Sequence, residues 1–206
     1  MRFRHDYKTM RSQTLANRTL AMLLFTAVAV ASAGTSDIVE GNPFATVKVT
    51  IYGDLQCEYC QNLRTMLDEK LLPKYGGQVA FIHRDLPLGR HDWARPAAMV
   101  SRWVYEQSPR LGIDFQRELM AEQEHMTMAR LKSWIVQFAI RNNVSESGIT
   151  AALTDPRLST LVDQDIQLAT ARGITKIPAV YVAGKSFVET IVYDDLAHVL
   201  DQVVGH

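Results

Sequence analysis

Val47, Val49 and Ile51 alternate with Lys48, Thr50 and Tyr52, a period of two that predicts a strand with its apolar side turned to a core. After Cys57-Glu58-Tyr59-Cys60 the period lengthens. Leu63, Met66, Leu67 and Leu71 recur at helical spacing, and Pro73 is expected to stop the helix. Val79 to Arg84 predicts a second strand, closed by Pro87 and Gly89. From Asp92 to Arg172 the pattern is helical, punctuated by Pro96, Pro109, Gly112 and Pro156. Its clearest helix starts at Thr127 and carries Met128, Leu131, Trp134, Ile135 and Phe138 on one face. Another presents Leu158, Leu161, Val162, Ile166 and Ala169 and ends at Gly173. Strand patterns return at Ala179–Val182 and from Phe187 to Val192, either side of a turn at Gly184-Lys185. A last helix, capped by Asp194 or Asp195, buries Leu196, Val199, Leu200 and Val203.

The order is strand, helix, strand, helical block, hairpin, helix, with no internal repeat. It predicts one α/β sheet domain over residues 34–206, with a core of 43–88 and 173–206 interrupted by a helical insertion at 89–172.

Residues 1–33 follow a different rule. A leader bearing Arg2, Arg4, Lys8, Arg11 and Arg18 precedes an apolar run from Leu20 to Ala33. The run ends in Ala31-Ser32-Ala33, a small-x-small pattern of the kind cleaved by signal peptidase. At 1.5 Å per residue such a run spans about 21 Å as a helix, short of the roughly 30 Å hydrocarbon core. A cleaved export signal over residues 1–33 is expected, against an uncut anchor or a buried helix, with Met1 or Met10 as the start. The protein is then periplasmic or secreted.

Composition adds bounds. The 206 residues are 47% hydrophobic and 21% charged, which argues against disorder. With 22 basic and 22 acidic side chains there is no basic excess to suggest nucleic-acid binding. Without residues 1–33 the balance becomes 17 basic against 21 acidic, a net of −4. Two cysteines exclude a disulfide-dense scaffold and a four-cysteine zinc site.

Those two cysteines are the main candidate chemistry. Cys57 and Cys60 stand three apart where a strand gives way to a helix, a spacing that brings both sulfurs to one face of the first turn. A thiol at a helix N-terminus meets unpaired N–H groups and the positive end of the macrodipole, which favour thiolate. Thiolate is both nucleophile and leaving group, so the pattern points to a redox-active dithiol. Three blander readings compete. A structural disulfide closing so short a loop stabilises by only about 2 kcal/mol. A metal site lacks histidines at ligand spacing, and no metal is expected. A chance pair is the third.

Glu58 places a negative charge beside the thiolate; at about 6 Å in water the repulsion is roughly 0.7 kcal/mol, less than a helix terminus can return. Alternatively Glu58 simply complements the helix dipole. Tyr59 either offers an aromatic surface to a substrate or packs on the domain. Asp54 either accepts a hydrogen bond near the site or caps the helix. Trp93, Trp103 and Trp134 read as core of the insertion, and His125-Met126-Thr127-Met128 as a helix start with core methionines.

A second signal is Gly173-Ile174-Thr175-Lys176-Ile177-Pro178, a proline opening a strand. Together with the cysteine pair it carries a resemblance. Tyr52-Gly53-Asp54-Leu55-Gln56-Cys57-Glu58-Tyr59-Cys60 is similar to the aromatic-x-Asp-x-x-Cys-Pro-x-Cys stretch of the DsbA-like branch of the thioredoxin superfamily. Leu86-Pro87-Leu88 with His91, Ala94, Ala97 and Ala98 resembles that branch's lead into its helical insertion, and Ile177-Pro178 its cis-proline segment. The resemblance implies a thioredoxin-like fold and an exported protein thiol–disulfide oxidoreductase. Cys57 would be the exposed attacking sulfur and Cys60 the buried resolving one. Pro178 would be cis, and Ile177 would shape a substrate groove and tune the potential. No cofactor is implied beyond the redox-active pair. The implied partners are cysteine-containing exported proteins and a membrane redox partner, either a DsbB-like oxidase or an electron donor. Glu58 departs from the branch, which often has proline there, so the oxidase direction competes with a reductase or isomerase using the same residues. A non-catalytic chaperone with a structural disulfide is the rival from another class.

Overall fold

The computed structural model describes residues 37–205; the expected export signal lies outside them. Five strands form one mixed sheet in the order β1-β3-β2-β4-β5: β1 (Ile38–Gly41), β2 (Val47–Gly53), β3 (Val79–Asp85), β4 (Ala179–Val182) and β5 (Lys185–Val188). Strands β2 and β3 run parallel, with Val47 opposite Val79 and Gly53 opposite Asp85. The β1–β3, β2–β4 and β4–β5 pairs are antiparallel. The chain between β2 and β3 carries α1 (Glu58–Met66), a π-helical turn (Leu67–Leu71) and α2 (Leu72–Tyr75). Between β3 and β4 lie α3 (Ala94–Gln107), α4 (Pro109–Ala121), α5 (Met128–Asn142), α6 (Glu146–Ala152) and α7 (Pro156–Ala171). The chain closes on α8 (Tyr193–Val204).

The sheet separates two cores. On one face Val49, Ile51, Phe81 and Val180 meet Leu63 of α1, Leu67 and Leu71 of the π-helical turn, and Leu196, Val199 and Leu200 of α8. On the other, Tyr52 and Ala179 meet the insertion, where Phe115 packs edge-on to Trp134 and Phe138. Tyr52 therefore departs from its place among the polar positions of the alternation: it is fully buried, because the insertion covers the face that an isolated sheet would wet.

Four boundaries differ from the sequence pattern. The sheet starts at Ile38, ahead of the expected residue 43, because Ile38–Gly41 pairs with β3 although it carries just two apolar side chains, Ile38 and Val39, and its inward Glu40 is charged. Pro73 does not stop the helix. The preceding π turn widens the backbone, so the proline sits in the first turn of a new segment, where no N–H is needed. Strand β5 runs from Lys185 to Val188 and ends before Val192, since Glu189 adopts φ 64° and its N–H donates to the Pro178 carbonyl at 2.8 Å. Val192 is the N-cap of α8, with Asp194 and Asp195 in the first turn, where their charge suits the dipole.

Candidate active site

Strand β2 delivers the cysteine pair at its carboxyl end. Gly53 ends the strand, and its carbonyl accepts the Leu86 N–H at 2.7 Å. The Cys60 sulfur packs on this bare backbone, 3.6 Å from where a Cβ would stand on Gly53. The chain then turns, with the Asp54 carbonyl accepting the Cys57 N–H at 3.1 Å. Cys57 is extended (φ −92°, ψ 123°) and is the N-cap of α1; its own carbonyl takes the first helical bond, from Gln61. Among the described residues no side chain caps this helix end, and the N–H groups of Tyr59 and Cys60 meet the Cys57 sulfur.

That arrangement splits the two thiols. The Cys57 thiol is pulled down to about 6. The hydrogen bond from the Cys60 thiol does most, burial opposes it, the N–H groups of Cys60 and Tyr59 add to it, and the Asp54 charge opposes. Cys60 moves far the other way. Its hydrogen bond to Cys57, its burial and the neighbouring Cys57 charge all disfavour ionisation, against one favourable N–H from Asp54. The pair thus holds one nucleophilic thiolate and one retained proton.

Burial corrects one expectation: Cys57 is not an exposed sulfur. It is 6% exposed against 4% for Cys60, because both belong to the core shared with Tyr52, Leu55, Leu86 and Trp93. Glu58 is exposed on the first turn of α1, and Tyr59 is 58% exposed beside it. Tyr59 borders a cavity of about 180 Å³ with Met66, Glu189 and Ile191, so it does not pack into the domain core. The Ile177–Pro178 bond is cis. Ile177 is 5% exposed and buried in the insertion-side core, so its side chain does not line an open groove. Pro178 is buried and shares with Cys60 a cavity of about 50 Å³ whose walls include Asp54, His83, Asp85 and Arg64.

Other polar groups at the site follow no helical or strand period. Asp54, 4% exposed, does not cap α1. One carboxylate oxygen accepts the Gln56 N–H at 2.7 Å; the other accepts the Leu88 N–H at 2.8 Å and lies 2.7 Å from His91 Nδ1. At the end of β3, Asp85 receives Arg102 Nε at 2.6 Å, and Arg102 also pairs with Asp165. Asp165 accepts Arg84 at 2.8 Å and the Asp85 N–H at 2.9 Å. Burial pushes the Asp85 carboxyl up to about 6 even though Arg102 opposes it. Behind α1, Arg64 binds Glu40 at 2.7 Å and Asp68 at 2.6 Å, and Arg117 joins both acids. The available signal was charge on buried faces: Arg102 lies among Ala98, Met99 and Ser101, and Arg64 beside Leu63.

Solved structures share this architecture. The chain superposes on the thiol-disulfide exchange protein alpha-DsbA2 from Wolbachia pipientis with a TM-score of 0.69 and 16% identity, covering 80% of this chain and 86% of the other. For alpha-DsbA1 of the same organism the values are 0.71 and 19%, with 82% and 91% covered. For oxidised BdbD from Bacillus subtilis they are 0.69 and 20%, with 83% and 94% covered. No curated protein matches the sequence. The family model described as Thioredoxin matches residues 34–202, most of the chain, and with the strand, cysteine pair and cis-proline in place the protein belongs to the thioredoxin family.

Proposed function

We propose that the protein is a thiol–disulfide oxidoreductase that exchanges its Cys57–Cys60 pair with cysteines of exported proteins, working as a dithiol oxidase. The observation that carries this is the division of labour at the N-terminus of α1, with Cys57 pulled down to about 6 and Cys60 held protonated. A structural disulfide has no use for that asymmetry.

In the oxidative direction a substrate thiolate attacks Sγ of Cys57 in the oxidised pair. The Cys57–Cys60 bond breaks, a mixed disulfide forms, and Cys60 leaves with the electron pair and takes up a proton. A second substrate thiolate then attacks the substrate sulfur, its disulfide forms, and Cys57 departs as the thiolate. The substrate loses two electrons and the enzyme gains them. A low Cys57 pKa favours the last departure and the reduced enzyme, each unit being worth about 1.4 kcal/mol at pH values above it. This supports the oxidase over the reductase or isomerase. The pair is returned to the disulfide by a membrane redox partner of the DsbB kind.

The basic leader, the apolar run to Ala33 and the Ala31-Ser32-Ala33 site support export, to the periplasm or outside. Among the described residues no helix is long and apolar enough to cross a membrane. Tyr59, two residues from Cys57 and exposed, supports a role in meeting a bound polypeptide.

Oxidation of a dithiol-containing model peptide by the disulfide form of the protein tests the reading. Wild type should oxidise the peptide and Cys57→Ser should not. Equal rates for the two would reject it. Equilibration with glutathione gives the direction: a potential above that of glutathione supports the oxidase, and one well below it the reductase.

A further inference from the structure

Five hydrogen bonds join the turn before Cys57 to the chain that leads into the insertion. Gly53 O accepts from Leu86, Asp54 Oδ2 from Leu88 and from His91, Gln56 Oε1 from the Trp93 N–H at 3.1 Å, and Asp92 Oδ1 from Gln56 Nε2 at 3.4 Å. Asp54 is the centre of this seam. Its backbone touches both cysteines, the carbonyl accepting the Cys57 N–H and the N–H meeting the Cys60 sulfur. Its carboxylate is buried close enough to oppose ionisation of both thiols. A buried carboxylate with two backbone donors still has accepting capacity, and among the described residues only His91 brings a side chain to it. Since a carboxylate can only accept, the imidazole donates from Nδ1. The other titratable and charged groups around Asp54 are Cys57 and Cys60 on its own turn and helix, Arg64 of α1, His83, Arg84 and Asp85 of β3 on the shared cavity wall, and Asp92 beside His91.

We infer that His91 is a positioning residue for the exchange reaction, which acts through Asp54: its ring N–H holds the carboxylate and draws off the negative field that would otherwise fall on the Cys57 sulfur. The inference rests on the redox reading of the cysteine pair and adds to it a residue from outside the cysteine motif. Without the imidazole, the Asp54 charge keeps, among the described residues, the Gln56 and Leu88 N–H groups and acts more strongly on Cys57. The thiolate then forms at higher pH, and Cys57 becomes a poorer leaving group.

The test is the pH midpoint of Cys57 alkylation by iodoacetamide in the reduced protein, read by peptide mass, with circular dichroism to confirm folding. His91→Ala should raise the midpoint by about half a unit or more. His91→Asn, which keeps an uncharged donor at a similar reach, should restore most of the shift. In an Asp54→Asn background His91→Ala should have no effect, since there is no charge left to hold. An unmoved midpoint in His91→Ala, or the same shift with and without the Asp54 charge, overturns the inference. A wild-type midpoint in the ordinary thiol range near 8.5 instead overturns the redox reading, independently of how His91→Ala compares with it.

Discussion

Cys60 gives its thiol hydrogen bond to Cys57 and in doing so surrenders its own capacity to ionise. The two residues share one negative charge, and the helix N-terminus places it on Cys57. This yields a pH profile for the reduced protein. Cys57 falls from an ordinary 9.0 to about 6 on folding. For a lowered value, the stabilisation is complete above pH 9 and is lost as pH falls through 6. At pH 7 it is about 1 kcal/mol. Cys60 is raised instead, so keeping it protonated in the fold becomes a penalty once pH exceeds 9. Denaturant unfolding of the reduced form should show stability rising from pH 6 to 9 and turning down above it. Cys57→Ser should flatten the rise.

Glu40 gives an independent prediction at the back of α1. Burial would push its carboxyl up, but the His83 hydrogen bond and the Arg64 charge outweigh that and bring it to about 2. Its contribution is therefore full above pH 4.5 and is lost as pH falls through 2. Glu40→Gln leaves Arg64 and Arg117 short of a carboxylate and should cost roughly 3 kcal/mol at neutral pH. Urea unfolding of the two proteins should show that gap narrowing between pH 4.5 and 2.

Asp85 has the opposite sign. Its carboxyl rises from 3.8 to about 6 on folding, so whatever stability it lends is complete below pH 3.8 and lost as pH climbs through 6. Asp85→Asn should make stability less dependent on pH in the interval between those values. Its absolute stability should fall, because Arg102 keeps only Asp165 of its two described carboxylate partners. Thermal unfolding at pH 4, 5, 6 and 7 measures both effects.

Gly112 tests the packing of the insertion. A glycine inside α4 would ordinarily gain up to about 1 kcal/mol from alanine. Here a Cβ would stand 2.5 Å from the Tyr105 Cα and 2.8 Å from its nitrogen, backbone that cannot turn aside. Gly112→Ala should therefore destabilise, by about 1–3 kcal/mol, through separation of α3 and α4. An increase in thermal stability would show that the two helices do not cross this closely.

The sequence carried the elements whose period was regular, and the structure shows why the others were hidden. Strand β2, the long helices and the turn at Cys57 were legible because apolar spacing and the Cys-x-x-Cys pattern are local. Ile38–Gly41 was not, since its pairing with β3 is a long-range fact and its inward Glu40 makes sense only once Arg64 and Arg117 stand behind it. Tyr52 reads as polar until the insertion covers it. The same holds at the site. Cys57, Cys60, Glu58, Tyr59, Ile177 and Pro178 could be named from motif and resemblance. Burial of the Cys57 sulfur, the seam from Asp54 to His91 and the Asp85–Arg102–Asp165 cluster depend on side chains brought together from separate elements.

The central claim is that Cys57 attacks and is attacked while Cys60 resolves. It is tested most directly by Cys60→Ala, which retains the first sulfur and removes the second. Incubated with oxidised substrate proteins and then alkylated, this variant should accumulate mixed disulfides that mass spectrometry places on Cys57, and Cys57→Ser should accumulate none. If Cys60→Ala carries no adduct on Cys57, the exchange mechanism is contradicted.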